Sequence, residues 1–174
     1  MESVNLHKFS RHIMEASPIA RATVRGNSQN PRLSGTVLFY PADMGTLVVA
    51  EVFGLPRMVD TGEGGQSVGP FYAFHVHEGT ECGSGDGDNP FAESGSHYNP
   101  TGTSHPMHAG DMPPLLADSG YAYASFYTGR FTPEQVIGRT VIIHKHADDF
   151  HTQPSGNAGE KIACGKIAGV AQPG

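Results

Sequence analysis

From Thr80 to Pro114 the sequence is dominated by Gly, Ser, Asp, Asn and Pro, with few apolar residues to bury. Connections longer than about 12–15 residues without structure of their own are uncommon in compact domains, and are mostly functional or disordered. This one carries His97, His105, His108 and Asp111. A bound metal would supply the order that a hydrophobic core does not. Such a stretch cannot be the scaffold, so the segments on either side must display it.

Those segments read as β-structure. From Ala20 onward, short apolar runs alternate with turn residues: "RATVRG", "SGTVLFYPAD", "GTLVVAEVFGLP" and "GPFYAFHVHEG" precede the long stretch. "GYAYASFYTG", "GRTVIIHKHA" and "KIACGKIAGV" follow it, the last two separated by a second loop, "DDFHTQPSGNAGE". Runs at this spacing predict an all-β sandwich or barrel. Gly 23 and Pro 13 in 174 residues are rich in turns but short of a low-complexity composition. Residues 1–19 differ: Val4, Leu6, Phe9 and Ile13 have weak helical spacing that Pro18 ends, which predicts a short helix or arm ahead of one domain over 20–174.

A net charge of −6 and the absence of a Lys/Arg cluster exclude a nucleic-acid backbone or an anionic membrane surface as partner. No apolar run is long enough to span a bilayer, since "TLVVAEVFGLP" is short and contains Glu51. The opening has no continuous apolar core of a signal peptide, so the expected location is the cytoplasm, or the periplasm or exterior if a signal has been removed. Cys82 and Cys164 are the only cysteines and are not spaced as a CxxC pair. One bridge or two buried thiols both fit, and a cytosolic chain favours thiols.

On a strand, alternation sends His75 and His77 of "FHVHEG" to one face and Phe74 and Val76 to the core. The two rings can therefore share one ion. His97, His105, His108 and Asp111 form three imidazoles and a carboxylate, the closed tetrahedral set of a structural Zn²⁺. His144 ends the run "TVII"; with His75, His77 and one loop histidine it makes a nitrogen-rich, roughly tetragonal site suited to Cu(II).

"FHVHE", "GSHYNP", "HAGD", "IGRTVIIHKHADD" and "GNAGEKIACGKIAG", in this order, resemble the copper/zinc superoxide dismutase family over residues 20–172. The resemblance is to a bacterial-type member with shortened active-site loops. It implies a Greek-key β-sandwich or barrel of about eight antiparallel strands with two long loops. It also implies copper on His75, His77, His97 and His144, and zinc on His97, His105, His108 and Asp111, with His97 bridging. Asp148 would link a copper ligand to a zinc ligand, Cys82 and Cys164 would form the intrasubunit disulfide, and His97 and Lys161 would act in catalysis. Superoxide would be the substrate, and either a homodimer or a monomer is compatible with the family.

Two departures stand out. Lys161 occupies the place of the family's arginine, trading a planar fork of donors for a flexible point charge. The loop from Asp148 to Asn157 has no cluster of glutamates for long-range steering, so attraction of an anion would rest on Lys161, Lys145 and the ions. His146 and His151 are expected on the rim of this loop. The acidic segment over 83–96 is longer than in typical members. A copper-binding or copper-delivery protein on the same fold is the rival function. A cupin-type metalloenzyme would use the H-x-H pair but leave His105, His108 and Asp111 without a role.

Overall fold

The structure is a computed structural model and describes residues 16–57 and 70–171. The arm expected over 1–19 lies outside the described residues as far as residue 15. Among the described residues, nine strands form one antiparallel sheet: β1 (Ala20–Gly26), β2 (Ser34–Ala42), β3 (Gly45–Phe53), β4 (Phe71–Tyr72), β5 (Phe74–His77), β6 (Leu115–Asp118), β7 (Tyr121–Thr128), β8 (Thr140–His144) and β9 (Lys161–Gly169). Their spatial order is β4-β6-β7-β3-β2-β1-β9-β8-β5. Neighbours far apart in sequence, β3 beside β7 and β1 beside β9, mark a Greek-key arrangement.

The first and last strands of that order, β4 and β5, are halves of one run split at Ala73. Ala73 has no partner in the β4–β6 or β5–β8 ladder; its N–H donates to His146 O and its carbonyl accepts from the N–H of His144, the last residue of β8. The sheet thereby closes into a barrel with about eight staves, one of them broken, and the count becomes nine. β6 was not foreseen: "LLAD" lacks β-branched residues and follows Pro113 and Pro114. A short helix, α1 (Pro133–Val136), was also absent from the expectation.

Alternation fills the barrel. Ala20, Ala22 and Val24 of β1, Val37 and Phe39 of β2, and Val48, Ala50 and Val52 of β3 point inward beside Tyr72, Phe74, Val76 and Leu115. Burying each large apolar side chain stabilises by roughly 1.5–3 kcal/mol. β8 is buried on both faces, because the long segment after β5 covers its outside: Val141 and Ile143 join the main core, while Ile142 packs with Phe91, Cys164 and Cys82. That segment therefore has apolar anchors of its own, Phe91, Tyr98, Ala109 and Met112, all buried. Metal is not its sole source of order. Among the described residues no helix is long and apolar enough to cross a membrane.

Candidate metal centre

Strand β5 carries the first two site residues. Phe74 and Val76 enter the core, so His75 and His77 face outward, yet both are almost fully buried because chain lies over them. The cover is hydrogen-bonded to the edge of β5 that β8 leaves free: Tyr98 N donates to Val76 O, and Val76 N donates to Gly110 O. Bridges pair His77 with His97 and His75 with Asp111. A Cβ at Gly110 would stand 2.2 Å from Val76 O, so only glycine permits this approach.

On the other edge, β8 brings His144, which pairs with Lys161 of β9 across a register shift. Two buried groups result, His75, His77, His97 and His144, and His97, His105, His108 and Asp111; within each, one ligand atom per residue lies within 4.8 Å of the rest. All seven expected ligand positions are thus brought together, and His97 belongs to both groups.

The ring nitrogens divide into outer and inner atoms. His75 Nε2 meets Asp148 Oδ2 at 2.9 Å, and His105 Nε2 meets Asp148 Oδ1 at 2.9 Å. His77 Nδ1 donates to Gly95 O at 2.9 Å, and His144 Nδ1 to Gly159 O at 3.1 Å. With the proton held on each outer nitrogen, the lone pair lies on the inner one, where a metal needs it. Among the described residues, His75 Nδ1, His97 Nε2 and His105 Nδ1 are buried without a hydrogen-bond partner. Leaving a buried polar atom unsatisfied costs about 1–3 kcal/mol, so these inward atoms fit an absent ligand. His77 Nε2 and His144 Nε2 face each other at 3.2 Å.

His97 is the exception to that division. Its Nδ1 lies 2.7 Å from Asp111 Oδ1 and 3.4 Å from His108 Nδ1, both of the second group, which leaves Nε2 for the first. Neither nitrogen is anchored to a main-chain carbonyl. Asp111 Oδ2 accepts from His108 N at 3.0 Å and lies 3.1 Å from His105 Nδ1.

The electrostatics favour ligand protonation states. Burial, then the neighbouring His144 and His97 rings, hold His77 well below the usual imidazole range; burial and His75 do the same to His144. Burial also lowers His75, against the opposing bond to Asp148. Burial raises Asp111 and Asp148, but hydrogen bonds outweigh it: His97 holds Asp111, and His75, Phe150 N–H and His105 hold Asp148, below the ordinary carboxylate range. Neutral imidazoles and ionised carboxylates are the forms that bind metal. A nitrogen-rich set beside a three-histidine, one-carboxylate set suits copper and zinc respectively.

A family model described as copper/zinc superoxide dismutase matches residues 33–167. The chain belongs to the copper/zinc superoxide dismutase family. It is 32% identical over 172 residues to the Cu-Zn superoxide dismutase of Deinococcus radiodurans, covering 87% of each chain. It is 31% identical over 140 residues to Cu-Zn superoxide dismutase 2 of Aquifex aeolicus, covering 67% of this chain and 80% of that one. The solved Cu/Zn superoxide dismutase of Brucella abortus has the same fold, with a TM-score of 0.68 at 23% identity, covering 84% of this chain and 97% of that one. Relatives named as dismutases favour the enzyme over the copper-delivery protein.

The remaining expected residues fall around this dismutase centre. Cys82 and Cys164 are joined in a disulfide. Lys161 is half-buried, and burial lowers its pKa. Its Nζ donates to Ser94 Oγ at 2.8 Å, Gly95 O at 2.9 Å and Phe91 O at 3.4 Å. Lys145 lines a cavity with Asn30, Arg57, Glu160 and Ile162, which contains no residue of either group. His151 is exposed and bonded to Asp149, and His146 packs against Gly159. The carbonyls of Gly95 and Gly159 were not foreseen; their one sequence signal is glycine, which both positions need at positive φ.

Gly156 is the tightest point. It has φ +66°, and a Cβ there would stand 2.0 Å from Asp148 Oδ1 and 2.8 Å from His105 Nε2. Gly156→Ala is expected to destabilise by about 1–3 kcal/mol and to loosen both rings that Asp148 holds. Thermal unfolding alongside zinc content checks it; a variant matching its parent in both would refute the contact.

Proposed function

We propose that this chain dismutates superoxide with copper held by His75, His77, His97 and His144 and zinc held by His97, His105, His108 and Asp111. One observation carries the assignment: His97 is a member of both groups, its Nδ1 lies against Asp111, and its buried Nε2 is committed to no other polar atom among the described residues. Bound copper supplies the one-electron couple that oxidises one superoxide to dioxygen and reduces another to hydrogen peroxide, while redox-inert zinc holds the loop. His97 Nε2 can hold a proton whenever it is not a ligand. Asp148 fixes His75 and His105 from behind, so each ring presents Nδ1 inward.

Lys161 supplies positive charge beside the first group. An ammonium has three donors, and three protein acceptors surround this one. It therefore attracts an anion by its field and has no spare proton to orient it. Arginine has five donors and could keep these acceptors while turning a fork toward the substrate. Lys161→Arg is expected to raise kcat/KM. Lys161→Met should lower it by about tenfold or more and flatten its dependence on ionic strength. Unchanged rates in both would remove Lys161 from the catalytic machinery. Every residue of both groups comes from one chain, so a monomer and a homodimer would serve equally; sedimentation distinguishes them.

A further inference from the structure

The zinc-type group is held from behind by two side chains that touch no expected ligand atom. Gln153, in the loop between β8 and β9, grips the main chain of His105 at both ends: His105 N donates to Gln153 Oε1 at 3.0 Å, and Gln153 Nε2 donates to His105 O at 2.7 Å. A backbone N–H only donates and a carbonyl only accepts, so this pairing fixes which way the amide faces. With Asp148 on its Nε2, His105 has one uncommitted polar atom, Nδ1, and that atom belongs to the zinc-type group.

Arg130 does the same for the other half of the segment. It follows β7 and precedes Phe131, which is buried against Phe39 and accepts a hydrogen bond from Thr46. From that fixed base its Nη1 donates to Pro106 O at 2.8 Å, His108 O at 3.2 Å and Asp111 O at 3.4 Å. Three carbonyls that alternate with, or belong to, the expected ligands are gathered on one guanidinium.

We propose that Gln153 and Arg130 are positioning residues that hold His105, His108 and Asp111 in ligand geometry before the ion arrives, so that zinc enters a site already formed. The inference rests on the second group being the zinc site. Groups that orient metal ligands through hydrogen bonds typically account for about 10- to 100-fold in metal affinity when removed. Gln153→Glu keeps the acceptor for His105 N and loses the donor to His105 O. Arg130→Gln keeps a donor but cannot span three carbonyls, and Arg130→Lys retains the charge and a single point of attachment.

The experiment uses the full chain stripped of metal. Zinc affinity is read by chelator competition, copper affinity is read separately without zinc, the cobalt(II) absorption spectrum reports the geometry of the second group, and amide hydrogen exchange follows residues 105–111. Gln153→Glu and Arg130→Gln are each expected to lower zinc affinity about 10- to 100-fold. Exchange at His105 N–H should rise, the cobalt spectrum should change, and copper affinity should stay at the parent value. Arg130→Lys should recover part of the loss. Parental zinc affinity in both variants, or equal losses for copper and zinc, would overturn the proposal. A parent chain that fails to take up zinc would instead refute the assignment of the second group.

Discussion

His97→Ala is expected to lower dismutation to below about one hundredth of the parent and to reduce the content of copper and zinc together. Removing a partner that merely orients a ligand costs about 10- to 100-fold in affinity, and His97 is a member of both groups. Its loss takes Nε2 from the first group and Nδ1 from the second, leaving three donors in each. The Asp111 carboxylate also loses its 2.7 Å partner and the neighbour that does most to hold it ionised. Metal content per chain and superoxide consumption are the two measurements. His151→Ala is the control: that ring is 79% exposed, belongs to neither group, and should leave both readings at parental values. Loss of one ion with full retention of the other would show that the ring is not shared.

The second large effect concerns the disulfide. Cys82 and Cys164 are 82 positions apart, and closing a loop of that size stabilises by about 4–5 kcal/mol on the chain-entropy account. The paired Cys82→Ser and Cys164→Ser variant should unfold roughly 10–15 °C lower. The consequence reaches the centre, because Cys82 pins the segment that runs on to Phe91, Ser94 and Gly95. Gly95 O accepts from both His77 Nδ1 and Lys161 Nζ. Copper affinity should therefore fall with stability. A variant that keeps the parental unfolding midpoint would show that Phe91 and Ile142 hold the segment unaided.

What could be read in advance was what depends on local period and residue type. Alternation placed Phe74 and Val76 inside with His75 and His77 outside, and the run "TVII" marked β8. The seven ligand candidates were legible because histidine and aspartate declare their chemistry by type. The residues that aim them were not. Gln153, Arg130, Gly95 and Gly159 act through main-chain atoms of segments remote in sequence, and nothing in an amide, a guanidinium or a glycine announces such a partner. β6 escaped for a related reason: four residues behind two prolines become a strand because β7 and β4 offer their edges. The break at Ala73 is likewise a demand of closure, absent from a run that looks uniformly extended.

That break ties metallation to architecture. The two ends of the sheet are stitched through a single residue, and two and four positions further along the thread come His75 and His77. An ion gripping those rings would work as a rivet, joining β5 to β8 through His144 on one side and to the chain around His97 on the other. Ions that bind the folded cylinder and not the unfolded chain would add their binding free energy to the resistance of the whole cylinder to opening.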